Sequence, residues 1–248
     1  MPSPQLTRQD KSRIEAALER FRSAQHDFRH IAKTIHLLVS EHPLLVPVIH
    51  SVKWRVKDID HLRHKLVRKT LESRTLGARR PEPITADNLF ERIEDLAGVR
   101  ILHLHTKQMV QIHKALLQVF ADQEYVVQGP VANTWDDEYR DYFRGIGLKT
   151  QSRPSMYTSV HYMIRQNQKS AIRCELQVRT LVEEVWGEVS HTIDYPDPTE
   201  SVACKEQLKV LARISSGCIR LVDSIFDSAR EHSDFKKRLA SRSQRKHR

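Results

Sequence analysis

The most regular alternation of apolar and polar residues in this chain lies in the segment 171–180. Every second side chain there is apolar, which is typical of a strand with one buried face. The apolar face would hold Ile172, Cys174, Leu176 and Val178. The opposite face would hold Arg173, Glu175, Gln177 and Arg179. The pattern therefore predicts a row of charged side chains along one side of a sheet.

A second strand is predicted within the segment 94–105, whose apolar residues suit a buried position. Asp95 lies just before this strand. If the strand neighbours that of Glu175, the two carboxylates could share one hard cation such as Mg²⁺, which leaves its other positions to phosphate oxygens and water. The alternative is an ordinary solvated face with salt bridges, which the alternation alone does not exclude.

Helical periodicity covers much of the remaining chain. The first helix would begin with Asp10 as its cap and end near His42. Its apolar stripe consists of Ile14, Leu18, Phe21, Phe28, Ala32, Ile35 and Val39. Further helices are expected at 58–71, 88–93, 107–123, 181–193 and 200–230.

The last two helices have apolar stripes that predict which side each one buries. The helix at 181–193 would bury Val182, Val185, Trp186, Val189 and Ile193. The helix at 200–230 would bury Leu208, Leu211, Cys218, Val222 and Ile225. This second stripe suits packing on the first helix or on a partner subunit, so a homo-oligomer through the terminal helices is one expectation.

Strands are also expected at 48–56 and 157–165, and a polar turn at 166–170 would join the latter to 171–180 in a hairpin. The segment 128–155 has no periodicity and collects Gly, Pro, Asp and Arg, so we expect a long polar loop there. The order of elements predicts an α/β (α+β) fold, with a mixed β-sheet of about five strands flanked by N- and C-terminal helices.

Composition narrows the class of partner. The formal net charge of +10 over 248 residues favours an anionic partner, such as a nucleotide, an RNA or another polyphosphate. The three cysteines lack the paired spacing of a zinc site or a disulfide framework, which indicates a reducing compartment. No apolar run approaches the roughly 20 residues that span a bilayer, and the N-terminus lacks a signal-peptide core. We therefore expect a cytoplasmic protein without a membrane partner.

Four short motifs follow one another through the middle of the chain. The first is WRVKDIDHLRHKL at 54–66, and the second is DLAGVR at 95–100. The third is RPSMYTSVH at 153–161, and the fourth is ELQVRT at 175–180. Together they resemble the synthetase domain of the RelA/SpoT family, which makes the alarmone (p)ppGpp.

The resemblance implies a synthetase domain with a nucleotidyltransferase-like fold at 48–197. A helical extension at 1–47 would precede it, and a C-terminal helix with a basic tail at 198–248 would follow it. The long members of the family add hydrolase and regulatory domains that have no counterpart in this sequence. The chain is therefore similar to the small, single-domain alarmone synthetases.

The resemblance also implies which residues bind the donor nucleotide. Arg55, Lys57 and Lys65 match the side chains that hold the ATP phosphates in the family. Arg100, from the second motif, would face the same phosphates or pair with Glu94. A planar guanidinium and two ammonium groups suit this task, because phosphate oxygens accept charge-assisted hydrogen bonds from both.

Asp95 and Glu175 match the catalytic carboxylates of the family. By the resemblance, both would carry Mg²⁺ as a cofactor on the phosphates. Glu175 could also deprotonate the acceptor hydroxyl, and the sequence does not separate the role of metal ligand from that of base.

The acceptor half of the site is implied by the third and fourth motifs. Tyr157 matches the tyrosine that stacks on the acceptor guanine. His161 would bind an acceptor phosphate, unless it is a core histidine held by a backbone carbonyl. The other acceptor residues implied are Arg153, Gln177, Arg179 and His191. For Gln177 and Arg179 the alternative is plain salt bridging along the strand.

The chain departs from the family pattern at several positions. His61 stands where the first motif usually has serine, and Arg153 replaces a lysine. Ser155 and Met156 replace the Asn-Gly pair that precedes the stacking tyrosine. A residue with a Cβ atom is strained at positive φ, so we expect the acceptor pocket to differ most from the family.

The function implied is transfer of the β,γ-pyrophosphate of ATP to the 3′-hydroxyl of GDP or GTP, with release of AMP. This chemistry needs neutralised charge and in-line positioning more than covalent help. Two alternatives remain open. One is a toxin-type relative that pyrophosphorylates the 3′ end of tRNA, which the excess positive charge and basic tail would suit. The other is a relative that binds nucleotides without catalysis.

Overall fold

The structure is a computed structural model that describes residues 5–76, 81–153, 156–194 and 198–246. Ser155 and the side chains of most of the basic tail lie outside the described part. Along the chain the elements are α1 (Arg8–Glu41), β1 (Ser51–Val56), α2 (Ile59–Thr75), α3 (Leu89–Arg92), β2 (Ala97–His103), α4 (Gln108–Asp122), β3 (Val126–Thr134), α5 (Asp137–Gly145), β4 (Lys149–Ser152), β5 (Ser159–Arg165), β6 (Arg173–Thr180), α6 (Leu181–Asp194) and α7 (Val202–Lys246).

Six strands in the described part of the chain form one mixed sheet in the order β1-β2-β6-β5-β3-β4. The pairs β2–β6 and β3–β4 are parallel, whereas β1–β2, β5–β6 and β3–β5 are antiparallel. The predicted hairpin is confirmed as β5 and β6. The mixed α/β fold is likewise confirmed, with six strands where about five were expected.

The loop predicted at 128–155 is wrong, because this segment contains most of β3 followed by α5 and β4. β3 lacks a clean alternation since its pairing with β5 shifts register partway along the strand. α5 is too short to give a long periodic pattern. Asp136 caps it, and it buries Tyr139 and Phe143, one helical turn apart. The strands β3 and β4 extend the sheet beyond β5.

The apolar stripe predicted for the first helix is confirmed. All seven of its residues are buried in α1, which packs on β1 and β2 and shares one hydrophobic core with the sheet. The predicted cap is wrong by three residues, because Thr7 is the N-cap and the Asp10 carboxylate accepts from the Thr7 backbone N–H. This capping box buries Asp10, and Arg13 and Arg74 pair with it there.

The buried face predicted for the helix at 181–193 is largely wrong. Trp186 is buried as expected. Three other apolar residues of that face are exposed, namely Val185, Val189 and Ile193. α6 buries Glu183 and Glu184 instead. The helix takes this rotation because cationic side chains of the sheet lie beside it and pair with the Glu184 carboxylate.

α7 is longer than predicted and buries a different stripe. Its buried residues are Ala212, Ser215, Ser216 and Ile219. Cys218 and Ile225, from the predicted stripe, are exposed. Polar contacts decide this face, since Arg220 pairs with Asp136 at 2.7 Å and Ser216 donates to the same carboxylate at 2.8 Å. α7 therefore docks on α6 and on the start of α5.

The division of the chain at residues 47 and 197 stays a prediction. α1 contributes to the same hydrophobic core as the sheet, so the N-terminal helix packs directly against the predicted synthetase domain. Within the described ranges, no helix is both long enough and apolar enough to cross a membrane.

We expect Thr7→Ala to lower the free energy of unfolding by about 1 kcal/mol, because it removes the oxygen that accepts from the Asp10 backbone N–H. Urea unfolding followed by circular dichroism measures the change. The matched control is Ser23→Ala, since Ser23 lies exposed within α1 and its hydroxyl only bonds a backbone carbonyl of the preceding turn. Equal stability of the two variants would contradict the assigned cap.

Candidate active site

The candidate site is built on the charged face of the sheet, where β1, β2 and β6 lie side by side. The strand register places Arg55 opposite Gly98, and Gly98 opposite Glu175. Residues paired across strands share a face, so Arg55 and Glu175 stand on either side of a position that has no side chain. The first, second and fourth motifs therefore meet in one row across three strands.

Two adjoining cavities open over this row. The first, here named the carboxylate cavity, is lined by Lys53, Trp54, Arg55, Asp95, Gly98, Val99, Arg100, Glu175, Gln177 and Glu188. The second, named the aromatic cavity, is lined by Arg55, Arg100, Tyr157, Gln177, Arg179, Trp186, Gly187, Glu188, Ser190, His191 and Asp194. Arg55, Arg100, Gln177 and Glu188 line both. The two predicted catalytic carboxylates thus lie in one cavity, and the predicted stacking tyrosine lies in the next.

Asp95 precedes β2 and is held by two ammonium groups. Lys57 Nζ lies 2.8 Å from one carboxylate oxygen, and Lys65 Nζ lies 2.6 Å from the other. Burial opposes the ionisation of Asp95, but the two lysines outweigh it and hold its pKa far below the ordinary value. Burial also lowers the pKa of Lys57. Asp95 is therefore a stable anion, and two of the residues predicted to bind ATP are gathered around it.

Glu175 is held by side chains from β5 and β6. His161 Nδ1 lies 2.8 Å from its Oε1, and Gln177 Nε2 donates to its Oε2 at 2.9 Å. Burial acts to raise the pKa of Glu175, but these partners outweigh it and lower the pKa overall. The Tyr157 hydroxyl continues the network, at 3.3 Å from His161 Nε2 and 3.4 Å from Gln177 Oε1. The network connects the Tyr157 ring with the Glu175 carboxylate.

The residues predicted for the acceptor half are only partly gathered. Those that line the aromatic cavity are Tyr157, Gln177, Arg179 and His191. His161 contacts Glu175 through one ring nitrogen, which differs from the backbone contact of a satisfied core histidine. Arg153 follows the edge strand β4 and donates to Asn133 Oδ1 at 2.8 Å, so the structure does not bring it to either cavity. Acceptor roles for His161 and Arg153 stay predictions.

Arg100 and Arg179 are held by two carboxylates of α6. Glu184 lies 2.9 Å from Arg100 Nη1 and 2.6 Å from Arg179 Nη2. Glu188, one turn later, lies 2.5 Å from Arg100 Nη1. Arg100 therefore pairs with α6, and the alternative of a pair with Glu94 is not what the structure shows.

Sequence reasoning missed Glu184 and Glu188. Their spacing of four residues puts them on one helix face. Val185 and Val189 have the same spacing and suit a buried face better, so hydrophobic periodicity favours the wrong rotation. The available clue is that Glu183 and Glu184 lie in the first turn of the helix that directly follows β6, whose last two residues are Arg179 and Thr180.

Met156 marks the departure from the family pattern before Tyr157. Its φ is 54°, in the left-handed region that favours glycine. The family motif has glycine at this position. The chain thus keeps a backbone conformation suited to glycine and places a side chain on it, which strains the loop.

The two carboxylates suit a hard divalent cation. Asp95 and Glu175 line the same cavity, and the pKa of each lies below its ordinary value because partner groups outweigh burial. Among the residues that the structure describes, no group of three or more His, Cys, Asp or Glu is placed to hold a metal. Asp95 and Glu175 are the two carboxylates that could hold a cation in this cavity, and Mg²⁺ accepts one or two carboxylates when phosphate oxygens and water fill its other positions.

Comparison with known proteins identifies the family. Residues 54–200 match the family described as "Region found in RelA / SpoT proteins", and this range contains all four motifs. The chain belongs to the RelA/SpoT family, which confirms the resemblance. GTP pyrophosphokinase YwaC of Bacillus subtilis (strain 168) is 27% identical over 154 residues, which cover 60% of this chain and 59% of that protein. The match thus spans about three fifths of the relative's length.

Solved structures share the fold. The small alarmone synthetase 1 from Bacillus subtilis bound to its product pppGpp aligns with a TM-score of 0.55 at 21% identity, covering 84% of this chain and 94% of that one. The same protein bound to AMPCPP aligns with a TM-score of 0.51 at 20% identity, covering 86% and 96%. At these identities the likeness shows the fold, which is that of the small alarmone synthetases.

We expect Met156→Gly to raise the free energy of unfolding by about 0.5–1 kcal/mol, because glycine adopts a φ near 54° without a clash of its own Cβ. Urea unfolding measures the difference. Met156→Ala is the matched control, since it shortens the side chain but keeps the Cβ atom and hence the strain. If the alanine variant were as stable as the glycine variant, backbone strain at this position would be refuted.

Proposed function

We propose that this chain is a (p)ppGpp synthetase that transfers the β,γ-pyrophosphate of ATP to the 3′-hydroxyl of GDP or GTP. The observation that carries the proposal is the meeting of Asp95 and Glu175 in one cavity with Arg55 and Arg100. Two carboxylates among cations suit a polyphosphate and its divalent cation better than they suit a neutral substrate.

The relatives support the same activity. YwaC is a GTP pyrophosphokinase, and the small alarmone synthetase 1 is known with its product pppGpp and with AMPCPP. This chain belongs to the same family and carries the four motifs in order. The proposal for its substrates rests on these relatives together with the residues of the two cavities.

The proposed reaction is a displacement at phosphorus. The 3′-hydroxyl oxygen of the acceptor bonds to the β-phosphorus of ATP, and the bond from that phosphorus to the oxygen shared with the α-phosphate breaks. AMP departs with that oxygen, and the hydroxyl proton is lost to water. Fixed positive charge lowers the barrier, because negative charge is spread over the oxygens of the transferred group.

Residues of the carboxylate cavity and its edge would bind the donor. Arg55 and Arg100 line the cavity. Lys57 and Lys65 form ion pairs with Asp95 at its edge. Mg²⁺, held by the two carboxylates, would supply further charge neutralisation on the phosphates when bound.

Glu175 suits the role of cation ligand better than that of base. His161 and Gln177 hydrogen-bond to it and, against the effect of burial, keep its pKa below the ordinary value. A carboxylate with a lowered pKa is a weak base near neutral pH. We therefore propose that Glu175 is a ligand of the cation and that water accepts the hydroxyl proton.

The aromatic cavity would bind the acceptor. Tyr157 offers a ring to the guanine, with Arg179 5.6 Å from the ring centroid and the Trp186 ring 6.4 Å away. Stacking of a base on such a ring contributes about 1–3 kcal/mol. Gln177 and His191 line the same cavity and would contact the polar edges of the nucleotide.

A homo-oligomer through the terminal helices remains part of the proposal. Large apolar side chains are exposed along the terminal helix α7, among them Val210, Ile214 and Leu221. An exposed apolar surface of this kind suits contact with another copy of the chain. A cytoplasmic location likewise stays a prediction.

The activity is tested by incubating the purified chain with Mg²⁺, ATP labelled in its β,γ-pyrophosphate, and GDP, GTP or uncharged tRNA in separate reactions. We expect label on the guanosine nucleotide and stoichiometric AMP. Label on tRNA alone would replace the proposal by the tRNA-modifying alternative.

Asp95→Asn and Glu175→Gln keep the shape of each side chain and remove its charge. We expect each to lower the turnover number at least about 100-fold, since charge stabilisation in such transfers is worth that much. Asp122→Asn is the control, because Asp122 is exposed at the end of α4 and lines neither cavity. Equal background turnover in the parent and all variants would instead support a nucleotide-binding protein without catalysis.

Substitution of Gly98 tests whether the donor nucleotide binds in the carboxylate cavity. A Cβ atom there would lie 3.7 Å from the Glu175 carbonyl oxygen, an ordinary contact. We expect Gly98→Val to fold normally and to weaken ATP binding at least about tenfold, because its methyl groups would stand between Arg55 and Glu175. Isothermal titration with AMPCPP and thermal unfolding separate the two effects.

Gly217→Ala is the control, since nothing lies within 4 Å of a Cβ at that position. Unchanged affinity in the Gly98 variant would place the donor elsewhere.

A further inference from the structure

A buried carboxylate, Glu184, contacts the cations of the two cavities and lines neither of them. It lies 2.9 Å from Arg100, 2.6 Å from Arg179 and 3.3 Å from Lys53. Its side chain is only 8% exposed. Arg100 lines both cavities, Arg179 lines the aromatic cavity, and Lys53 lines the carboxylate cavity. One carboxylate on α6 therefore joins side chains from β2, β6 and β1.

The two arginines need such a shared anion. Burial lowers the pKa of Arg179, and the positive charge of Arg100 lowers it further, because the two guanidinium groups repel each other. The Arg179 side chain is 3% exposed, so water cannot replace a missing counter-ion. Glu184 accepts hydrogen bonds from the Arg100 guanidinium and forms an ion pair with that of Arg179, and so fixes the place of both.

We propose that Glu184 is a positioning residue that sets the binding of donor and acceptor together. It would hold Arg100 for the phosphates of ATP and Arg179 beside the ring on which the acceptor stacks. The inference rests on the proposed function, since it assigns the two cavities to those two nucleotides.

Glu188 provides an internal contrast on the same helix. It lies 2.5 Å from Arg100 and 4.0 Å from Arg179, but its side chain is 57% exposed and lines both cavities. An incoming phosphate can displace this exposed carboxylate from Arg100, whereas the buried Glu184 has no room to leave. Loss of the Glu188 charge should therefore favour nucleotide binding, and loss of the Glu184 charge should oppose it.

The test measures binding without turnover, by separate titrations of AMPCPP and of GDP into the full chain. We expect Glu184→Gln to weaken both at least about tenfold, the effect of losing a charged hydrogen-bond partner. Glu188→Gln should tighten the binding of AMPCPP, because it removes the exposed carboxylate that competes with a phosphate for Arg100. Glu206→Gln is the control, because Glu206 pairs with Lys209 on the exposed surface of α7.

Glu184→Asp keeps the charge on a shorter side chain and should restore part of both affinities, and it stands in if the glutamine variant does not fold. A purely structural role would lower the thermal midpoint and the folded fraction while leaving each Kd of the folded protein unchanged, and that result would overturn the inference. Weaker binding of only one of the two nucleotides would also overturn the inference. Parent protein that binds both nucleotides but transfers no label would refute the proposed function alone. Parent protein that binds neither would refute both.

Discussion

A charge that is buried on the face of a sheet must be given a partner, because an unpaired ion without water is strongly destabilising. Three carboxylates at this site meet that requirement differently. Asp95 is held by two lysines, Glu175 by a histidine and a glutamine, and Glu184 by two arginines and a third cation. The positions of the cations, and hence of any phosphate they bind, follow from these pairings.

The pairings also separate permanent contacts from replaceable ones. A polyphosphate brings its own negative charge, so it competes with the protein's carboxylates for the same cations. The Glu184 side chain is buried and that of Glu188 is exposed, so we propose that a phosphate replaces Glu188 and leaves Glu184 in place. A site of this kind is organised before the substrate arrives, which limits the cost of ordering side chains on binding.

The proposed donor and acceptor halves differ in how closely they follow the family. Arg55, Gly98 and Glu175 stand in register on adjacent strands, and each of them lies within one of the four motifs. The acceptor half contains Met156 in a conformation suited to glycine, and Arg153 lies at the far edge of the sheet. The physical reason is that strands hold their residues by hydrogen bonds in a ladder, whereas a loop can drift with each substitution.

The sequence by itself determined the family, the mixed α/β class, the stripe of α1, the hairpin of β5 and β6, and the two carboxylates as candidates. Periodicity and short motifs are local, so they can be read without coordinates. Only the tertiary structure decided that β3 and β4 extend the sheet, that α6 turns Glu184 inward, and that Arg55 and Glu175 flank Gly98. Strand register and helix rotation depend on partners far away along the chain. In α6, the pairing of Glu184 with cations of the sheet outweighs the burial of the valines, which remain on the surface.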